Sequence, residues 1–190
     1  MYLFVDTETT GFPKRWDAPI SDLKNWPRMV QIAWLVYDEE TNFVDEKNYI
    51  IKPDGFSIPE SAVKIHHITT EMAKNRGVDL SEVLTEFSSA IDETDTIVAH
   101  NISFDMNIIG AEFLRTQIEH SLSKKKRICT MKSTAEFCAI ENKYGFKWPK
   151  LSELYYKLFQ TSFPEMHNAE ADIKATAKCF WELKKQGFFQ

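Results

Sequence analysis

The stretch "YLFVDTETTG" near the start of the chain constrains its fold more than any other. Side chains alternate along a strand, so Tyr2, Phe4, Asp6 and Glu8 would share one face, with Leu3, Val5 and Thr7 on the other. Both faces are apolar for most of the run, which predicts a central strand covered on both sides. Such a strand ends in two carboxylates on one face, roughly 7 Å apart. In a semi-buried setting they repel or take up protons unless a cation lies between them. A hard divalent ion with oxygen ligands, Mg²⁺ or Mn²⁺, suits the pair. The same residues admit a plainer reading, in which the strand stops at Val5 and a polar turn runs on into Thr-Thr-Gly.

The 190 residues suit a single domain spanning 1–190, long enough to bury a core without staples. No apolar run approaches the ~20 residues of a membrane helix, and the start lacks a basic flank followed by an apolar signal core. The expectation is a cytoplasmic protein with no membrane partner. Cys129, Cys138 and Cys179 form no metal-ligand spacing and are expected as free thiols. The formal net charge of -5 excludes a broad basic surface for gripping duplex nucleic acid, but not a nucleic-acid enzyme whose acids hold metal. The one dense positive run, "KKKR" at Lys124 to Arg127, reads as a solvated loop or, less commonly, a phosphate contact.

"MVQIAWLVYD" and "FVDEKNYIIK" read as second and third strands linked by a short hairpin, which makes an antiparallel meander with the first. Short helical turns follow in "PESAVKIHHIT" and "TEMAKNRG". In "DLSEVLTEFSSAIDE", Leu80, Val83, Leu84, Phe87 and Ile91 recur at helical spacing. "TIVAHN" reads as a buried strand, "ISFDMNIIGAEFLRTQI" as a helix and "RICTM" as a fifth strand. Helices are expected through "KSTAEFCAIEN", "KLSELYYKLF" and "NAEADIKATAKCFWELKKQ". The pattern predicts an α/β fold: a mixed five-stranded sheet, meander plus parallel strands, with helices on both faces.

Two further acids stand beside apolar stripes. Asp105 lies three residues after Ile102 and next to the stripe of Met106, Ile109 and Phe113, where a carboxylate needs a cation or several donors. It also reads simply as a first-turn acid facing the helix dipole. In the last helix Asn168 is a plausible N-cap, and Ile173, Ala177 and Phe180 form the stripe. Glu170 and Asp172 flank that stripe at similar angles, so periodicity does not choose between them. His167 precedes the cap in a loop after Pro164, a position where most histidines are ordinary surface residues.

Set in order, "DTETTG", "HNISFD" and "HNAEAD" resemble the three motifs of the DEDDh exonucleases, the family of the proofreading epsilon subunit of bacterial DNA polymerase III. The resemblance extends through "VQIAW" and "KIHHIT" and spans nearly the whole chain. It implies a ribonuclease H-like fold, in agreement with the mixed sheet. Residue by residue, Asp6, Glu8, Asp105 and Asp172 match the family's four metal-binding acids, and His167 matches its general base. The match selects Asp172 over Glu170. Thr9, Thr10, Gly11, His100 and Asn101 correspond to the wall around the terminal nucleotide, and His66 lies in a segment resembling the same rim.

The implied chemistry is 3'-5' hydrolysis of phosphodiester bonds by two divalent ions about 3.5–4 Å apart, releasing nucleoside 5'-monophosphates. On the family's pattern Asp6 bridges the ions, Glu8 and Asp172 complete the water-activating site, and Asp105 supports the other ion. His167 takes the water's proton. The implied partners are 3' ends of single-stranded DNA or RNA, with DNA favoured, and a polymerase or a second copy of the chain. An RNA-directed enzyme of the oligoribonuclease or RNase T type would use the same residues. A catalytically silent binding module would have no use for mutually repelling carboxylates. One departure from the family is the long loop from Phe12 to Met29, with Trp16 and Trp26. It reads either as a base-stacking element or as a loop pinned to its own domain by tryptophan.

Overall fold

The computed structural model describes residues 1–163 and 168–189. Strands β1 (Tyr2–Thr9), β2 (Met29–Tyr37) and β3 (Phe43–Ile50) form the expected antiparallel meander. Helices α1 (Glu60–His66), α2 (Thr70–Arg76) and α3 (Leu80–Asp92) lead into β4 (Thr96–Ala99), which pairs parallel to β1. Helix α4 (Ile102–Thr116) returns the chain to β5 (Lys126–Cys129), parallel to β4. The sheet order is therefore β3-β2-β1-β4-β5, with β1 at the centre. This is the mixed sheet of the ribonuclease H-like fold.

Two faces of β1 feed two different cores, as alternation requires. Leu3 and Val5 pack with Trp34, Leu84, Phe87, Met106 and Ile109 under α3 and α4. Phe4 packs on the opposite face with Ala33, Leu35, Val98, Ile173 and Phe180 of α8 (Ala169–Lys185). Asp79 caps α3 through the Ser81 amide, and Asn168 caps α8 through the Glu170 amide, so both helices start where the sequence places them. Helix α7 (Leu151–Phe159) covers the outer side of α8, where Leu154 and Tyr155 pack with Cys179 and Leu183.

Between β5 and α7 the chain differs from expectation. The strand read in "RICTM" ends at Cys129, and Thr130 opens a one-turn helix, α5 (Thr130–Ser133). The single helix expected through "KSTAEFCAIEN" is instead α5, then α6 (Ala135–Cys138), then a small hairpin of β6 (Glu141–Asn142) and β7 (Gly145–Phe146). Ala139, at φ 52°, stops α6, and Gly145, at φ 116°, turns the hairpin back in a conformation that favours glycine. The basic run is not a free loop either. Lys126 and Arg127 lie in the edge strand β5, while Lys125 donates to the Asp92 and Thr94 carbonyls and Arg127 to the Leu122 carbonyl. Charged side chains along an edge discourage pairing with another sheet. The cysteines are free thiols, and among the described residues no helix is long and apolar enough to cross a membrane.

Candidate active site

The end of β1 is held between two helices. Antiparallel pairing with β2 runs regularly from Tyr2 opposite Tyr37 to Thr7 opposite Ile32, then shifts between Glu8 and Thr9. A bulge there re-aims the side chains at the strand's end. Asp6 and Glu8 emerge on the α8 side. Asp172 comes from the first turn of α8, and oxygens of Asp6, Glu8 and Asp172 lie within 4.8 Å of one another. Glu170 goes elsewhere: its carboxylate accepts from the Asn48 amide and the Lys174 ammonium, 2.8 and 2.6 Å away. The choice that periodicity left open is thus made by Asn48 of β3 and by Lys174 one turn along α8, which hold Glu170 apart from the other acids. Gln31, opposite Glu8, is buried and donates to Asn48, which extends this polar network beneath the acids.

Asp105 reaches the strand from the other side. It is buried in α4, and its Oδ1 accepts from the Thr7 amide at 3.0 Å and the Thr7 hydroxyl at 2.8 Å. Thr7 points away from Asp6 and Glu8, so Asp105 is anchored on the opposite face of β1, and both Thr7 bonds go to a single oxygen of its carboxylate. Burial, and then the negative charges of Asp105, Asp172 and Glu8, hold the Asp6 carboxyl well above its usual range. Glu8 is pushed up to about 8 by burial and by Asp172 and Asp105. Burial also lifts Asp105 to about 7, against the pull of the Thr7 bonds. Acids this crowded keep protons at neutral pH unless a cation replaces them. The donor set of hard carboxylate oxygens fits a divalent ion of the Mg²⁺ or Mn²⁺ kind.

These acids stand at the head of a cleft of about 830 Å³ lined by Thr9, Gly11, His66, His100 and Asn101 together with Glu8 and Asp172. Thr10 is not in its lining. The Thr10 hydroxyl accepts from the Arg28 amide at 3.0 Å and the Thr10 amide donates to the Arg28 carbonyl, which closes the base of the long loop. The Thr9 hydroxyl donates to the Gly11 carbonyl at 2.6 Å, and Gly11, at φ 144°, takes the backbone out of the strand. Asn101 sits at φ 73°, an uncommon state for a residue other than glycine, at the start of α4.

The two histidines of the lining are committed. Burial pushes His100 down to about 4. The neutral ring donates from Nε2 to the Pro149 carbonyl and accepts at Nδ1 from the Thr130 hydroxyl, both at 3.0 Å. Burial also lowers His66, whose Nδ1 accepts from the Ile68 amide, so its proton is on Nε2. His167, the expected base, lies outside the described residues.

Sequence reasoning missed the aromatic part of the cleft. Phe12 and Phe104, whose ring centres are 6.4 Å apart, line it together with Trp148, Ile65, Met131 and Phe163. Trp16 packs beside Phe12 and Phe104, with ring centres 6.2 and 5.9 Å away, and stays 59% exposed. Trp26 is 3% exposed and donates to the Pro19 carbonyl, so this tryptophan pins the loop to its own domain while Trp16 stays at the surface. Exposed aromatics in a loop and in the segment before α7 were the available signal for the missed walls.

A family model described as an exonuclease, RNase_T, matches residues 3–180. The epsilon subunit of DNA polymerase III from Treponema pallidum is 33% identical over 107 residues, 56% of this chain and 43% of that protein. The PolC-type DNA polymerase III of Pediococcus pentosaceus is 28% identical over 184 residues, 96% of this chain but 11% of that protein. The chain therefore spans less than half the length of these relatives. Among solved structures, Escherichia coli exonuclease I in complex with a dT13 oligonucleotide superposes with a TM-score of 0.76 at 23% identity, covering 97% of this chain and 40% of that one, and so shares its fold. With the motif acids gathered at one strand end and a family match over nearly all its length, the chain belongs to the DEDDh exonuclease family.

Proposed function

We propose that this chain is a metal-dependent 3'-5' exonuclease that removes nucleoside 5'-monophosphates from single-stranded ends, preferring DNA. The observation that carries the reading is the convergence of Asp6, Glu8 and Asp172 oxygens within 4.8 Å at the head of an aromatic-walled cleft. Stacking walls suit unpaired bases, which offer a π-face that paired bases keep hidden. The likeness to polymerase III proteins supports DNA as the substrate and a polymerase as the protein partner. Free cysteines, two buried and one partly buried, agree with a reducing cytoplasm.

Asp6, Glu8 and Asp172 would hold the first cation, and Asp105, through the oxygen that Thr7 leaves unused, would serve a second. Bound Mg²⁺ or Mn²⁺ supplies an acidified water and charge stabilisation for the departing 3' oxygen. Thr9, Gly11 and Asn101 shape the floor against which the terminal sugar sits. His66 presents an N–H donor to that floor and His100 braces the wall at Pro149, so neither offers a nitrogen that can take a proton. The water's proton would go to His167, which matches the family's general base and stands five residues before Asp172 in the sequence.

The test uses end-labelled single-stranded DNA and RNA with Mg²⁺, with Mn²⁺ and with EDTA. Cation-dependent release of 5'-monophosphates from the 3' end is expected, faster on DNA. Asp6→Ala and Asp172→Ala should lose several orders of magnitude in rate while melting as cooperatively as wild type. His167→Ala should lose rate yet still bind strand and cation. A folded, active Asp6→Ala protein would overturn the assignment.

A further inference from the structure

The hairpin that sequence reading missed presents a pattern the proposed chemistry does not use. From Phe146 to Lys150 the chain alternates: Phe146, Trp148 and Lys150 are exposed, whereas Lys147 and Pro149 turn inward. Lys147 donates to Glu153 of α7 at 2.6 Å, and the Pro149 carbonyl accepts from His100. These two ties fix which face is outward. The outward face carries two large aromatic rings, 49% and 58% exposed, and at the hairpin's tip Tyr144 is 86% exposed. Cations accompany them: Lys132 lies 5.2 Å from the centre of the Trp148 ring and Lys143 lies 4.7 Å from that of Tyr144. The Lys147 amide donates to the Ile140 carbonyl at 2.9 Å and carries the hairpin ladder down to the cleft, whose lining includes Trp148 and Lys150.

Resting on the 3'-end reading above, we propose that the face formed by Tyr144, Phe146, Trp148 and Lys150 is a docking track for the nucleotides upstream of the 3' end, as the strand leaves the cleft. Interleaved rings and cations are what an unpaired strand recognises: bases stack on the rings and phosphates meet the ammonium groups, without a sequence preference. Continuity with the cleft argues for the substrate strand rather than for a protein. So does charge, because Lys132, Lys143 and Lys150 accompany these rings, against the acid Glu141 opposite Phe146, on a chain whose net charge is -5. Track and cleft have separable effects. The cleft takes the terminal residue of any strand, whereas the track is felt only by strands long enough to reach it.

The experiment measures KM for a dinucleotide and for DNA and RNA strands of about 15 nucleotides, a length within the span of known single-strand sites. It compares wild type with Tyr144→Ala/Phe146→Ala. Wild type should prefer the long strand. In the variant that preference should shrink about tenfold, through KM for the long strand. Binding in EDTA should show a salt slope reduced by about 0.7 for each of Lys132→Gln and Lys143→Gln. A variant that keeps the wild-type length preference and salt slope overturns the track and leaves the face to a protein partner. Wild type that cleaves the dinucleotide and shows no length preference also overturns it, with the 3'-end reading intact. Wild type that binds and cleaves no strand overturns both.

Discussion

At the scale of single residues, the site depends on a threonine that holds one of the acids in place. Asp105 is buried and would be costly as a lone charge, and Thr7 supplies two of the donors that offset this, one from its amide and one from its hydroxyl. Thr7→Val keeps the shape and the amide bond and removes the hydroxyl. The carboxyl, already lifted to about 7, should then move higher and turn more freely. Partners that orient a ligand typically contribute 10–100-fold to metal affinity. The Mg²⁺ concentration for half-maximal cleavage should rise by about that factor, with little change once cation saturates. Equal cation dependence in Thr7→Val and wild type would remove Thr7 from this role. Much of the residue-level picture is legible in the sequence, because period-two alternation puts Asp6 and Glu8 on one face and helical spacing puts Asp105 beside its stripe. The choice between Glu170 and Asp172 is not, since it depends on Asn48 of β3, more than 100 positions away in the chain, meeting Glu170 beside the local i,i+4 pair with Lys174.

At the scale of elements, the long loop between β1 and β2 joins both kinds of work. Its inner half is clamped to α4: the buried Glu112 accepts from the Met29 amide and pairs with Arg28 and Arg115, 2.9 and 3.1 Å away. Arg115 in turn donates to the Leu23 and Trp26 carbonyls. Trp26 fills the core beside this clamp, and Trp16 stands outside it next to Phe12 and Phe104. Opposite outcomes are expected from the same substitution. Trp26→Ala should cost about 3–5 kcal/mol of stability, as for other large-to-small changes in a core. Trp16→Ala should leave melting nearly unchanged and weaken single-strand binding by about 1–3 kcal/mol. Denaturant melts and binding titrations in EDTA check both, and a Trp16→Ala protein with wild-type affinity would show that this ring does not stack on bases. The sequence presents two tryptophans of equal standing here, because burial is decided by α4 and not by anything local. It is equally silent on the hairpin of β6 and β7: the apolar spacing from Ala135 to Ile140 imitates a helix, which positive φ at Ala139 and Gly145 interrupts.

At the scale of the whole molecule, three strained acids set how stability responds to pH. Asp6, Glu8 and Asp105 all have carboxyls raised in the folded protein, Glu8 to about 8 and Asp105 to about 7. A folded state that holds protons which the unfolded chain has already released loses stability as pH rises. The loss begins above the ordinary carboxylate values of about 4 and runs on through the raised ones. Without cation, the melting temperature should therefore fall steadily from about pH 5.5 to 8.5. A cation reverses this, because it binds the ionised acids and releases their remaining protons. Mg²⁺ or Mn²⁺ should raise the melting temperature far more at pH 8.5 than at 5.5. Asp6→Asn removes the charge with the most neighbours. It should melt higher than wild type in EDTA at pH 8.5 and respond little to cation, since a site built from repelling groups trades stability for function. A cation-free melting temperature that stays level across this range would mean that the acids are not held together as the fold implies.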